Sequence, residues 1–319
     1  MKACVDVGGT KVAVSLADVK ALSGDAGTES RLSASRSEPT AKTGTRDALA
    51  QQIIRMIGEA CAEAGAPESA LRGVGVSSCG PFVVNGGLVE VAAPNICGGI
   101  AGPARGLPND WMSATLEAPL RERYGSQVGV RVEIDTIGAL HAERRWGALR
   151  DTPHCAYVTW STGVGAALCV DGQVLRGKNR NAGHAGHMFV NDDSEGALCG
   201  CGNRGDVEAL VAGNAIERRF GRNAAALLEA AKQGESGALA QVDGLCRVMG
   251  RMLYNLVIVG DLQRISLGGS VFWHHRDFLL PRLKAQLAGH LPALTDGVEL
   301  VPAGLKDRVG DYAALALLD

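Results

Sequence analysis

The first apolar run of the chain, residues 2–7, stops at Gly8-Gly9, and a second β-rich run resumes over 11–16. Two such runs about a Gly-Gly turn predict a β-hairpin. Residues 21–45 are rich in Ser, Thr, Gly and charge, which predicts a solvated strand or a loop. Over 46–64 the apolar positions Leu49, Ile53, Ile54, Ile57 and Cys61 recur at helical spacing, until Gly65 and Pro67 break the pattern. A buried strand is predicted over 71–77, ending at Cys79-Gly80-Pro81, followed by a helix over 110–124, a strand over 128–134 and a helix over 136–146. The strand 156–160, its turn at 161–165 and the runs 166–170 and 173–175 around Asp171-Gly172 repeat the strand–turn–strand pattern. Beyond Glu208 the spacing is helical through Leu228, Leu245 and Leu256, and a last buried strand, 264–267, enters Gly268-Gly269. Alternating strands and helices predict an α/β architecture. The recurrence of strand–turn–strand near residues 6 and 160 predicts two topologically related halves with a cleft between them.

Composition narrows the classes. The chain has 319 residues, 46% apolar and 21% charged, enough for two domains with ordinary cores. With 32 Lys+Arg against 34 Asp+Glu, the net charge of −2 leaves no excess of base for a nucleic-acid footprint. No basic amphipathic helix, run of 18 apolar residues or signal-peptide pattern occurs, so the expectation is a cytoplasmic protein with no membrane partner. Nine cysteines in such a setting predict small buried hydrophobes rather than a disulfide framework. Only Cys199 and Cys201 lie close together.

Phosphate binding needs backbone N–H groups that converge, which glycine permits. Gly8, Gly9 and the Thr10 hydroxyl offer one such turn, and Asp6 just before it could hold Mg²⁺ through water. Ser161-Thr162-Gly163-Val164-Gly165 offers a second, and Gly268-Gly269-Ser270 a third on the ribose or adenine side of a nucleotide. Any one of these alone reads simply as a tight turn. Three in order, each after an apolar strand, favour a nucleotide site. By residue type His187, Cys199, Cys201 and a nearby acid make a zinc set, the plain alternative being two structural cysteines in a Gly-rich loop. Asp135, between a strand and a helix, reads either as a helix N-cap or as a carboxylate placed for chemistry.

These motifs resemble the ROK sugar kinases and repressors, of the two-domain actin-like ATPase (ribonuclease H-like) fold, over essentially the whole chain. Asp6-Val7-Gly8-Gly9-Thr10-Lys11 is similar to the family's first phosphate loop, 159–165 (with Thr162, Gly163 and Gly165) to its second, and Leu267-Gly268-Gly269-Ser270 to its adenosine loop. Gly183-His184-Ala185-Gly186-His187 and 199–208 are similar to its Glu-x-Gly-His and Cys-x-Cys-Gly-x-x-Gly-Cys-x-Glu signatures. The resemblance implies ATP, Mg²⁺ and a structural Zn²⁺ held by His187, Cys199, Cys201 and position 206. It implies Asp135 as the base that accepts the hydroxyl proton. A sugar is then contacted by Gly80, Asn95, Asp135, His184, His187 and Glu208.

Three positions depart from the family pattern. Asp206 stands where a cysteine is expected, Ile134 where an asparagine precedes the catalytic aspartate, and His184 where a glutamate accepts two sugar hydroxyls. Neutral histidine offers one donor and one acceptor, so His184 bears on the choice of sugar, unless it only fills the pocket rim. The expected domains are 1–118 and 119–308, with a helix over 309–319 packing back onto the first. The expected activity is transfer of the γ-phosphate to the primary (6-type) hydroxyl of a hexose, a modified or amino hexose such as kanosamine, or a C7 cyclitol. A homodimer is the family expectation. The alternatives are a ROK-type transcriptional regulator, disfavoured because no winged-helix segment precedes the first strand, and a sugar-binding protein without catalysis.

Overall fold

The computed structural model describes residues 1–18, 32–102, 105–191 and 196–318. The chain divides into two units, Met1–Ala142 with Arg176–Asn181 and Gly310–Asp319, and Glu143–Leu175 with Ala182–Val309.

In the first unit β1 (Lys2–Val7), β2 (Lys11–Ala17), β3 (Leu32–Pro39), β4 (Gly73–Ser78) and β8 (Gly129–Ile134) form one sheet in the order β3-β2-β1-β4-β8. β1 is antiparallel to β2 and parallel to β4, and β4 is parallel to β8. A small antiparallel sheet comprises β5 (Phe82–Asn85), β6 (Leu88–Val91) and β7 (Ala114–Thr115). The helices are α1 (Ala48–Glu63), α2 (Gly98–Ala101), α3 (Glu117–Tyr124) and α4 (Asp135–Trp146), the last running into the second unit. Alternation along the strands sends Val5, Val7, Val74, Val76, Val130, Val132 and Ile134 into one core with Leu49, Ile53 and Ile57 of α1. On the other face the terminal helix Val309–Ala316 lies so close that a Cβ at Gly75 would run into the carbonyl of Ala314.

In the second unit β9 (Cys155–Trp160), β10 (Val164–Val170), β11 (Gln173–Val174), β12 (Arg264–Gly268) and β13 (Glu299–Pro302) form a sheet in the order β11-β10-β9-β12-β13. Strand directions match those of the first sheet, antiparallel on the hairpin side of β9 and parallel on the other. The helices are α5 (Val207–Val211), α6 (Gly213–Phe220), α7 (Ala224–Lys232), α8 (Ser236–Gly260), α9 (Ser270–Trp273), α10 (Arg276–Leu287) and α11 (Pro292–Thr295), with α12 (Val309–Ala316) the terminal helix already described. The fully buried Glu143 organises this unit. Its carboxylate accepts hydrogen bonds from Ala148 N, Ser266 Oγ, Gly304 N and Leu305 N at 2.8–3.0 Å.

Several sequence expectations change. The helix expected over 110–124 forms only at Glu117–Tyr124, because Ala114 and Thr115 pair with Val91 and Glu90 instead. The solvated stretch 21–45 contains β3, while residues 19–31 lie outside the described residues. The strand at 264–267 is not the last, since β13 pairs with it. The boundary at 118 moves to Ala142, because β8 joins the first sheet through β4. Residues 310–319 fall in the first unit, the unit onto which the helix over 309–319 is expected to pack. So does the segment 176–181, through Arg176 Nε to Glu133 Oε1 (2.6 Å), Arg180 Nη1 to Val132 O (3.1 Å), and Asn181, which bonds both Phe82 N and Phe82 O at 2.7 Å.

Candidate active site and metal cluster

Three parallel strands of the first unit, β1, β4 and β8, end side by side, and ligands in open α/β sheets gather at such carboxyl ends. Asp6 stands opposite Ser77 and Ser77 opposite Glu133, all on the face away from the valine core. Burial, the charge of Asp135 and, less strongly, that of Asp311 push the Asp6 carboxyl up to about 7 against the pull of Lys11. Asp135 is the first residue of α4, and its Oδ1 accepts the N–H of Thr136 at 2.7 Å. The residue has a solvent-facing surface, yet protein crowds its carboxylate enough that desolvation pushes it up to about 6, against the Thr136 hydrogen bond. Helix-end bonding and a poised carboxylate therefore coexist in one side chain.

The phosphate-type turn at 8–10 is closed by its own backbone. Gly8 N donates to Lys11 O at 2.9 Å, so that amide is spent within the turn. Thr40 braces it from outside, Oγ1 to Gly8 O (2.7 Å) and N to Thr10 O (3.0 Å). Asn95 packs against Gly9, whose missing side chain makes the approach possible, since a Cβ there would overlap the Asn95 amide. Cys79, half-buried beyond β4, donates its N–H to Val7 O at 2.8 Å. Its thiol is pushed far up by burial and by the charges of Asp135 and Asp6. Nothing in the sequence marks this neighbour beyond its position before Gly80-Pro81. Ile134 packs in the core with Val130 and Val132, so the polar contact expected there is replaced by apolar packing.

In the second unit the turn between β9 and β10 is closed by Ser161 N to Gly163 O (2.9 Å), and Gly213 N donates to Ser161 O (2.8 Å). Glu208, on α5, reaches this turn, its Oε2 accepting Val164 N at 3.0 Å. It stands so close to Gly163 that a Cβ there would be 2.7 Å from Oε2. Its Oε1 lies 3.7 Å from Cys199 Sγ, so one carboxylate links the second turn to the cysteine loop. Gly268 ends β12, and Gly269 has φ +87°, with Trp160 O in the path of any Cβ. The rings of His184 and His187 stack with centroids 6.0 Å apart.

His187, Cys199, Cys201 and Asp206 converge with donor atoms within 4.8 Å of one another. The separations are 3.2 Å for His187 Nδ1 to Asp206 Oδ2, 3.4 Å for Cys201 Sγ to Asp206 Oδ2 and 3.7 Å for Cys199 Sγ to His187 Nδ1. Zn–N of about 2.0 Å and Zn–S of about 2.3 Å in a tetrahedron put ligand atoms roughly 3.3–3.8 Å apart. The donor set fits that ion in chemistry, and these three separations are close to its spacing. Asp206 is fully buried and divides its oxygens, Oδ2 facing the cluster and Oδ1 accepting Ala209 N at 2.8 Å as the N-cap of α5. Burial pushes Asp206 up, but hydrogen bonds from His187 and Ala209 outweigh it and hold the carboxyl below its usual value. The same Asp206 bond raises His187 against burial.

The fold is that of the actin-like ATPases. It superposes on a ROK hexokinase from Thermus thermophilus with a TM-score of 0.74 and 28% identity, over 99% of this chain and 97% of that one. The family is narrower than the fold, and the ROK family pattern matches residues 2–319, so the chain belongs to the ROK family. A glucokinase of Aeropyrum pernix is 28% identical over 297 residues, 86% of each chain. An N-acetylmannosamine kinase of Salmonella newport is 30% identical over 273 residues, 84% of this chain and 82% of that protein.

Proposed function

We propose that the chain is an ATP-dependent sugar kinase that transfers the γ-phosphate to the primary (6-type) hydroxyl of a hexose or a hexose-like polyol. The observation that carries this reading is the pair Asp6 and Asp135 at the carboxyl ends of parallel strands, both carboxyls raised toward neutrality beside the braced Gly8–Thr10 turn. A carboxylate with a pKa near the working pH is suited to take the hydroxyl proton as the phosphoryl group arrives. Asp135 has that role, and its Oδ1 bond to Thr136 N holds the carboxylate in place. Asp6 would hold Mg²⁺ through water, and the ion neutralises phosphate charge when bound.

Gly9, Thr10 and Lys11, with Thr162, Gly163 and Gly165, take the phosphates, and Gly268 and Gly269 the nucleoside end. Gly80, Asn95, His184, His187 and Glu208 contact the sugar. His187, Cys199, Cys201 and Asp206 would hold a structural Zn²⁺, whose role would be to fix His187 to α5, the helix that carries Glu208. The relatives include kinases named for glucose and for N-acetylmannosamine, and His184 is the position here that bears on that choice. An imidazole in place of a two-oxygen acceptor favours a modified hexose or a cyclitol on an equal footing with glucose. An unpaired hydroxyl buried there costs about 1–3 kcal/mol.

A coupled ADP-release screen over glucose, mannose, N-acetylmannosamine, kanosamine and C7 cyclitols tests the reading. Turnover of at least one at millimolar concentration is the expected result. Binding of sugar and ATP with no ADP release from any of them would replace the kinase by a sugar-binding protein.

A further inference from the structure

Asn109 lies in no helix or strand and belongs to no recognised motif, yet its side chain makes its full complement of four hydrogen bonds. Oδ1 accepts Gly98 N at 2.7 Å and Trp111 N at 3.1 Å. Nδ2 donates to Ile96 O at 3.0 Å and Lys42 O at 2.9 Å. Two of these partners, Ile96 O and Gly98 N, lie in the segment just after Asn95, so one amide ties that segment down at two points. The third, Lys42, follows Thr40, which braces Gly8 and Thr10. Asn95 in turn lies on Gly9. The contacts close a ring: phosphate turn, the chain at 40–42, Asn109, the 95–98 segment, and back to the phosphate turn.

We propose that Asn109 is a positioning residue for sugar binding, which acts by fixing the 95–98 segment and hence the direction in which Asn95 presents its amide. This rests on the reading of Asn95 as a sugar contact. The phosphate turn keeps its own two bonds from Thr40, so loss of the Asn109 bonds is felt first on the sugar side.

The test uses the full chain and whichever of glucose, N-acetylmannosamine and kanosamine turns over fastest. Asn109→Asp keeps both acceptor bonds but sets a carboxylate oxygen against two carbonyls. It is expected to raise the sugar KM about tenfold or more, the tenfold corresponding to about 1.4 kcal/mol. The kcat and the ATP KM should stay within about twofold. Asn95→Ala should raise the same KM, and the double variant should add little beyond it, because the two act through one contact. If Asn95→Ala raises the sugar KM but a folded Asn109→Asp does not, the role of Asn109 is overturned while the sugar site stands. If Asn95→Ala leaves it unchanged, both are overturned. Should Asn109→Asp fail to fold, amide exchange in the unaltered protein decides. The Gly98 and Trp111 amides should slow severalfold with saturating sugar and not with an ATP analogue alone, by reciprocity of coupling. Unchanged exchange with sugar overturns the proposal.

Discussion

At the scale of single residues the proposed chemistry rests on Asp135. Removing its charge while keeping its shape isolates proton acceptance from architecture, because the amide of an Asp135→Asn variant still offers an oxygen to Thr136 N. Asp135→Asn is therefore expected to lower kcat by roughly 10²–10⁴-fold, with ATP affinity by calorimetry changed little. Near-normal turnover would remove the base assignment. As base, the same carboxyl would set the acid limb of the pH profile. A base must be ionised to work, so desolvation to about 6 predicts that kcat/KM falls below about pH 6 rather than near pH 4. The role of this residue as base was implied by the family resemblance, while its place between a strand and a helix was legible in the sequence. Cys79 and Asn109 were not, since their importance lies in partners far away along the chain.

At the scale of elements, Asp206 shows how one side chain serves two purposes. A cysteine in its place would supply a thiolate to a metal bound there but only a weak acceptor to the helix end, whereas a carboxylate has an oxygen for each. Asp206→Asn keeps a capping oxygen and removes the anionic ligand. Elemental analysis is expected to show about one zinc per chain in the parent protein and clearly less in the variant, with helix content by circular dichroism unchanged. A second element depends on a missing side chain. Gly75→Val would push α12 off the first sheet at Ala314, and overpacking of this kind costs about 1–3 kcal/mol or more. Thermal unfolding should show the drop, while Gly129→Ala on the edge strand β8, where a Cβ meets nothing, should show a much smaller one.

At the scale of the whole molecule, two sheets repeat one strand order and one set of directions, as the two strand–turn–strand signatures suggested. The stability of the chain also carries a trace of its chemistry. Asp6 has an ordinary value of 3.8 and is raised to about 7 by burial and by Asp135. The folded state therefore holds its proton where the unfolded state has lost it. Stability from this group is fully present below about pH 4 and is lost as pH rises to about 7. Asp6→Asn removes that penalty. In Mg²⁺-free buffer it is expected to raise stability at pH 8 by about 1–2 kcal/mol, well short of the full shift because Asp6 keeps some contact with water. At pH 4 it should have almost no effect. Urea unfolding at the two pH values checks the difference, and an equal gain at both would remove the electrostatic account.

The sequence alone determined what depends on near neighbours. The hairpins at 2–17 and 155–170, the helix α1 and the glycine turns follow from local spacing, and strands followed by Gly-Gly announce themselves without partners. The residue types of the candidate metal cluster were legible too, whereas position 206 as a ligand and Asp135 as a base were implied by the family resemblance. Only the tertiary structure decided the rest, because those features are set by contacts that no local window contains. Two-residue β7 exists because β6 is there to pair with it, and β8 belongs to the first unit because its neighbour is β4. Asp6 and Asp135 become a pair only when β1 and β8 flank β4, and their raised pKa values come from that enclosure rather than from their residue type. Burial and pairing are properties of the folded surroundings, and they turn an ordinary aspartate into a candidate base.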